Sequence, residues 1–473
     1  MLAAVLAGAA APAALANRVA PGDRPDPTLL RAGGGWYAAT TSNDWLPAFP
    51  LWRSGDLAGW RRAGAVFTRR PRWAEAAFWA PELVRRGGRV LVYYAALGRN
   101  GRRCLAVASA RRVTGPYDDH GPLLCSGIGE IDPVPVRDEQ GADWLVWKRD
   151  GNSRAQPTPI LAAPLAPGGM SLAAPPRELF RGDAPWERGL VEGPALVRHD
   201  GTFYMIYSAR HCCGLSCNYA TGVARSSSLL GPWEKRPEPI LDRGRGFRCP
   251  GHGTVTRGPG GELELVYHAY ARGDPANRRL VVAPLVFDAA GWPAVGRVRQ
   301  TVVAPRGRRY GFGHALGGDW EWPAGPRPRT GLVGGALVLG PGALAQRANG
   351  SRFAARTEVV TRRGGARPGL AVMVSNLDGV GVELRGSKAV AWRVADGRRT
   401  LVGSVRAGSA RLLRVTLHGR VRLAVRSSDR GGRWRAVGEP QELPRWSAPR
   451  VALTVGGGRA ARAAFDWLQV EPR

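Results

Sequence analysis

Short apolar runs dominate the first three hundred residues, either alternating with polar positions or continuous, and they come in pairs around turns holding Gly, Asp or Asn. Such pairs predict β-hairpins. Five segments share one plan: a small residue or proline, an apolar pair, a turn, then an aromatic-rich strand. They read Asp26-PTLLRAGGGWYAATT, Ala80-PELVRRGGRVLVYYAA, Asp132-PVPVRDEQGADWLVWKR, Gly193-PALVRHDGTFYMIYSAR and Gly253-TVTRGPGGELELVYHAY, at steps of 54, 52, 61 and 60 residues. A second pair of strands follows in several units (FPLWRSGDLAGW, LAVASARRVTGPY, TGVARSSSLLGPW, LVVAPLVFDAAGW), each ending in a glycine-plus-aromatic turn. Four strands in each of five repeats is the arithmetic of a five-bladed β-propeller. A stacked solenoid fits less well, because the repeats are long, uneven and lack capping units.

Beyond a Gly/Arg-rich stretch, strands recur at close spacing: SRFAARTEVV, LAVMVSN, GVELRG, AVAWRV, ARLLRVTLHGRVRLAVRSS and RAAFDWLQVEP. Their period-two alternation without helical pattern predicts a two-sheet β-sandwich. The expected fold class is therefore all-β, with a propeller over residues 18–300, a connector over 301–318 and a sandwich over 319–473.

The propeller topology carries a chemical consequence. The first strand of every blade lines the central channel, so residues at repeat openings meet near one axis although they lie far apart in sequence. Asp26, Asp132 and Glu192 occupy or adjoin that position in repeats one, three and four. Three carboxyls on one funnel is the expectation. Taken singly, an Asp before Pro is a common turn starter and Glu192 could simply end a strand.

Composition changes this picture little. Gly 65 and Pro 38 suit many turns, and Trp 17 suits either β cores or walls that stack on sugar rings. The net charge of +31 invites a nucleic-acid reading, yet only Lys148, Lys235 and Lys388 are lysines, and the arginines are scattered rather than clustered. That distribution resembles a codon bias more than a phosphate-binding patch, so neither nucleic acid nor membrane is an expected partner. Residues 1–16, MLAAVLAGAAAPAALA, end in a small-x-small pattern and read as a signal peptide lacking its basic start, which implies secretion. Six cysteines (Cys104, Cys125, Cys212, Cys213, Cys217, Cys249) suit an exported protein with one to three disulfides. Cys212-Cys213-x-x-x-Cys217 lacks zinc-site spacing, which favours a local disulfide over a metal knuckle; the pairing is open.

In PGDRPDPTLL, FPLWRSGDLAGW, FWAPELV, EIDPVPV, VEGPALV and GHGTV, taken in that order, residues ~18 to ~300 resemble glycoside hydrolase family 43. Related five-bladed fructosidases carry other residues where this chain has Pro25, Ile131 and Gly193. The resemblance implies a general base at Asp26, a general acid at Glu192 and a third carboxyl at Asp132 that tunes and orients the acid. It implies inversion, in which the base activates water on one face of the sugar while the protonated acid serves the leaving oxygen, at a separation of about 6.5–9.5 Å. Asp132 is expected to keep Glu192 protonated by like-charge repulsion.

The resemblance further suggests Trp45, Phe49 and Trp79 as sugar-stacking walls and Arg278 as a clamp on sugar hydroxyls. His252 would sit at the channel, bound to a cation or hydrogen-bonded near the acids. No cofactor is required, with a structural calcium ion in the channel as a candidate. The substrate is then an oligosaccharide or polysaccharide of plant-type pentoses, cleaved as by an α-L-arabinofuranosidase or β-xylosidase. DWEWP, Ser428 to Trp434 and Phe465 to Trp467 make the second domain similar to a concanavalin-like jelly roll. A non-catalytic carbohydrate-binding propeller is the alternative. Exo or endo action and oligomeric state stay open.

Overall fold

Five antiparallel sheets follow one another along the first part of the chain, in a computed structural model that describes residues 19–244, 246–298, 306–348, 350–427, 432–443 and 448–473. The signal-like residues 1–16 and residues 428–431 of the Ser428–Trp434 motif lie outside the described residues. Blade one comprises Thr28–Ala32, Gly35–Ala39, Ala48–Ser54 and Arg61–Phe67, and blade two Ala74–Arg86, Arg89–Gly98, Arg103–Ala110 and Asp118–Leu124. Blade three runs Glu130–Arg137, Asp143–Arg149, Ile160–Pro164, Arg177–Phe180, and blade four Val191–His199, Thr202–Ala209, Ala220–Ser226, Glu234–Lys235.

Blade five has four strands of its own, Phe247–Arg257, Leu263–Ala271, Arg278–Phe287 and Pro293–Val295. A fifth comes from the other end of the domain: Val19–Ala20 pairs with Val281 and Leu280. This ties the last blade to the segment leading into the first and covers part of an open strand edge. Between blades the second strands bury large aromatics, among them Tyr93, Trp147, Tyr207 and Tyr267. Each such side chain contributes roughly 2–3 kcal/mol of apolar burial.

A repeated backbone device sits at the blade openings. Asp26, Ala80, Asp132, Gly193 and His252 all have positive φ, between 41° and 60°. In blades two to five the pairing register of the first strand shifts around this residue. A left-handed residue inside a bulge turns its own or the adjacent side chain out of the sheet, here towards the axis. Asp tolerates this conformation better than most residues, which suits Asp-Pro at two of the five openings.

Downstream, two sheets of eight and six strands form the sandwich. Arg308–Gly311, inside the stretch expected to be connector, is a strand of the larger sheet, with Arg308 opposite Val470 and Gly311 opposite Trp467. Tyr310 on that strand packs on Trp320, an anchor the composition of the stretch concealed.

The sandwich leans on blade one, and this contact overturns two expected sugar walls. Trp45 is fully buried; its indole N–H donates to the Val374 carbonyl at 3.1 Å, and Arg450 covers its ring at 5.1 Å. Phe49 is equally buried among Phe67, Phe78 and Tyr94, with ring centroids 5.2–6.1 Å away. Neither ring has a free face for a sugar, because interdomain and core packing use them up.

Candidate active site

Each blade presents two places to the same end of the propeller: the opening of its first strand and the loop joining its second strand to its third. A cavity of about 420 Å³ is built from these places, on all five blades. Asp26, Asp132 and Glu192 all line it, together with Trp79, His252 and Arg278. The three carboxyls that lie up to 166 positions apart are thus brought into one pocket. Among the described residues its lining comes from the propeller alone.

The two ends of the acid set have opposite surroundings. Asp26 Oδ1 lies 3.4 Å from Arg278 Nη1, 3.2 Å from His268 Nδ1 and 3.6 Å from His252 Nδ1. Burial by itself would raise its pKa, but Arg278, His252 and His268 outweigh burial and hold it well below the usual carboxylate range. Asp26 is ionised at any physiological pH. His268 is driven down to about 4 by burial, with Arg278 adding to the effect and Asp26 opposing it. It is therefore neutral, and its Nδ1 lies 3.2 Å from both the Asp26 backbone nitrogen and Asp26 Oδ1. Of the adjacent arginines, Arg278 serves Asp26 whereas Arg279 is turned to Asp274 at 3.2 Å.

Glu192 faces a cation that the sequence reading did not assign to the site. Lys148 Nζ, fully buried, lies 2.7 Å from Glu192 Oε2 and 3.6 Å from Asp150 Oδ1. Burial raises the Glu192 pKa, but Lys148 outweighs it and the net shift is downward. Asp132 goes the other way, pushed up to about 6 by burial, with Glu192 adding to the rise and His252 and Lys148 opposing it. Its Oδ2 accepts the Gly193 N–H at 2.9 Å. Lys148 thus favours charge on Glu192, while burial and the neighbouring Glu192 favour the protonated form of Asp132. Two carboxyls this strongly linked titrate as a unit.

Lys148 belongs to a second repeat hidden beneath the first. Strand pairing makes Thr41, Ala95, Lys148, Ser208 and His268 equivalent, one per blade. Each polar member serves the opening of the next blade round the ring. Thr41 Oγ1 accepts the Ala80 N–H at 2.8 Å, Ser208 Oγ accepts the His252 N–H at 2.7 Å, Lys148 holds Glu192, and His268 holds Asp26. Ala95 offers nothing to Asp132. The signal was present in the sequence as polar residues interrupting apolar second strands, one of them among only three lysines in the chain.

Removing the Lys148 charge tests this electrostatic assignment. In Lys148→Met the carboxyl pair loses the cation that favours its ionised form, so its pKa rises. The alkaline limb of the kcat/KM profile, set by loss of the pair's proton near pH 6, is expected to move up by about one unit or more. A limb that stays in place removes Lys148 from any control of the acid.

Trp79 stands at the cavity wall, its indole N–H donating to Asn43 Oδ1 at 3.0 Å, with Arg103 4.7 Å over its ring. His252 lines the cavity beside Asp26, yet among the described residues no three His, Cys, Asp or Glu side chains converge in a way that could hold a metal ion. The Arg278 guanidinium beside Asp26 makes this corner unsuited to calcium. All six cysteines are paired: Cys104–Cys125, Cys212–Cys213 and Cys217–Cys249.

Comparison with known proteins agrees with this architecture. The profile described as Glycosyl hydrolases family 43 matches residues 15–293. Xylosidase/arabinosidase 43B of Humicola insolens is 28% identical over 285 residues, covering 56% of this chain and 51% of that protein, so the chain spans about half its length. An extracellular endo-α-(1→5)-L-arabinanase of Bacillus subtilis is 26% identical over 57% of this chain and 86% of its own. The crystal structure of a xylan β-1,4-xylosidase from Bacillus halodurans superposes with a TM-score of 0.77 at 20% identity, over 95% of this chain and 98% of that one, so the likeness in fold includes the sandwich. The five blades, the cavity at their axis and the matched profile together place the chain in glycosyl hydrolase family 43.

Proposed function

We propose that this protein is a secreted, inverting glycoside hydrolase acting on plant-type pentose polysaccharides or oligosaccharides, of the α-L-arabinofuranosidase or β-xylosidase type. One observation carries the reading: a single cavity gathers Asp26, paired with the Arg278 guanidinium at 3.4 Å, together with Glu192 and Asp132, whose pKa burial pushes up. That is the division of labour inversion needs. Asp26 accepts a proton from the attacking water. Glu192 delivers the pair's proton to the departing glycosidic oxygen, with Asp132 as its reservoir and Lys148 offsetting the charge left behind. The names of the relatives, xylosidase and arabinanase among them, support a pentose, and three disulfides with an extracellular relative support export.

One observation favours a second reading, a propeller that binds carbohydrate without cleaving it: Lys148 neutralises Glu192 directly. A screen of nitrophenyl α-L-arabinofuranoside and β-D-xyloside with arabinan and xylan decides between them. Hydrolysis with release of the inverted anomer, seen by proton NMR, is expected. Saturable glycan binding without hydrolysis between pH 4 and 7 would establish the second reading instead.

A further inference from the structure

The Cys212–Cys213 pair is a disulfide between adjacent residues, and both cysteines line the cavity. They lie on the loop joining Thr202–Ala209 to Ala220–Ser226 in blade four. The loop is fastened on several sides. Cys217–Cys249 ties it to the first strand of blade five, Arg248 donates to the Leu215 carbonyl at 3.1 Å, and His211 N–H donates to Asn218 Oδ1 at 3.0 Å. Cys212 packs on the buried cluster of Cys217, Tyr219, Cys249 and Tyr270. Cys213 Sγ lies 3.7 Å from Arg278 Nη1, the same nitrogen that stands 3.4 Å from Asp26.

The chemistry of this position explains why two cysteines would be joined there. A free thiol beside the Arg278 guanidinium would tend towards thiolate and compete with Asp26 for that cation. Oxidation removes both S–H groups and any thiolate, leaving a fixed, polarisable, weakly polar edge. Most of the lining side chains are charged or polar, and Trp79, Ile131 and the Tyr219 ring are its other apolar lining. A ligand site needs apolar walls to complement a few directed polar groups. A pentose offers both, with hydroxyls at its edge and C–H groups on its face.

We propose that the Cys212–Cys213 disulfide is a wall of the sugar subsite next to Asp26, against which the C–H face of the bound pentose packs while Arg278 and Asp26 take its polar side. This rests on the glycosidase reading above and adds the group that recognises the ring. In Cys212→Ser/Cys213→Ser, KM for the preferred nitrophenyl pentoside and the inhibition constant of the free pentose are both expected to rise by about ten-fold, with kcat within about three-fold. Removing Cys104–Cys125, whose cysteines are not among the cavity's lining, by the same substitution is expected to leave both constants unchanged. A second measurement uses the unaltered protein: with ¹³C-labelled cysteine, adding free pentose is expected to shift the Cβ signals of Cys212 and Cys213 and not those of Cys104 and Cys125. An active wild-type enzyme whose double variant keeps both constants, or whose Cys212 and Cys213 signals stay still at saturating pentose, overturns this inference alone. A wild-type chain inert towards every pentoside overturns the glycosidase reading first, and this one with it.

Discussion

Glu192→Gln is expected to lower kcat by about 10³-fold or more on natural pentosides, and far less on a dinitrophenyl pentoside. The reason lies in which bond needs help. A sugar oxygen, a poor leaving group of high pKa, must be protonated as it leaves, whereas dinitrophenolate departs without a proton. Asp26→Asn is expected to lose a similar factor on both substrates, because every leaving group still requires an activated water. Lys148 retains Asp150 at 3.6 Å in the Glu192 variant, so its charge keeps a partner. Equal losses on both substrates in Glu192→Gln would sink the acid assignment. Full recovery of Asp26→Asn on the activated substrate would sink the base.

Glu321→Ala is expected to cost the fold about 3–5 kcal/mol, since it leaves buried guanidiniums uncompensated. Glu321, near the start of the sandwich, bonds Arg347 Nε at 2.7 Å and Arg450 Nε at 3.0 Å, and Glu321 and Arg450 are both essentially inaccessible. Arg347 in turn donates to the Asp23 carbonyl in the propeller at 2.5 Å, so the pair fastens one domain to the other three residues from Asp26. Burial raises the Glu321 pKa, but Arg347, Arg450 and Arg62 bring it down to about 2. A depressed carboxylate stabilises the native state above its unfolded pKa near 4.5, and that contribution fades as pH falls towards 2. The variant should therefore melt lower than the native protein at pH 7, by roughly 3–5 °C. Calorimetry should find the gap narrowing between pH 4.5 and 2. Coincident melting curves at pH 7 would show that the cluster contributes nothing to stability.

Much of the architecture was legible because it repeats. Period-two alternation reports which face of a strand is buried, and five copies of one hairpin left few architectures to choose from. The same register pointed to Asp26, Asp132 and Glu192, since residues at one repeat position must share one place in a closed ring. Arg278 and His252, suggested by the family resemblance, also line the cavity. Aromatic residues were less readable. Trp45 and Trp79 look alike in sequence, yet one is sealed beneath the sandwich and the other stands at the cavity wall. Burial by a separate domain leaves no mark on the local pattern.

The residue order by itself determined the strands, the blade count and which carboxyls would meet, because these depend on local periodicity and on ring closure. Tertiary structure alone decided how those carboxyls are charged. Whether Glu192 or Asp132 keeps the proton depends on an ammonium delivered from the neighbouring blade, 44 positions away. Electrostatic energy follows distance and burial in space, and a chain read in one dimension contains neither.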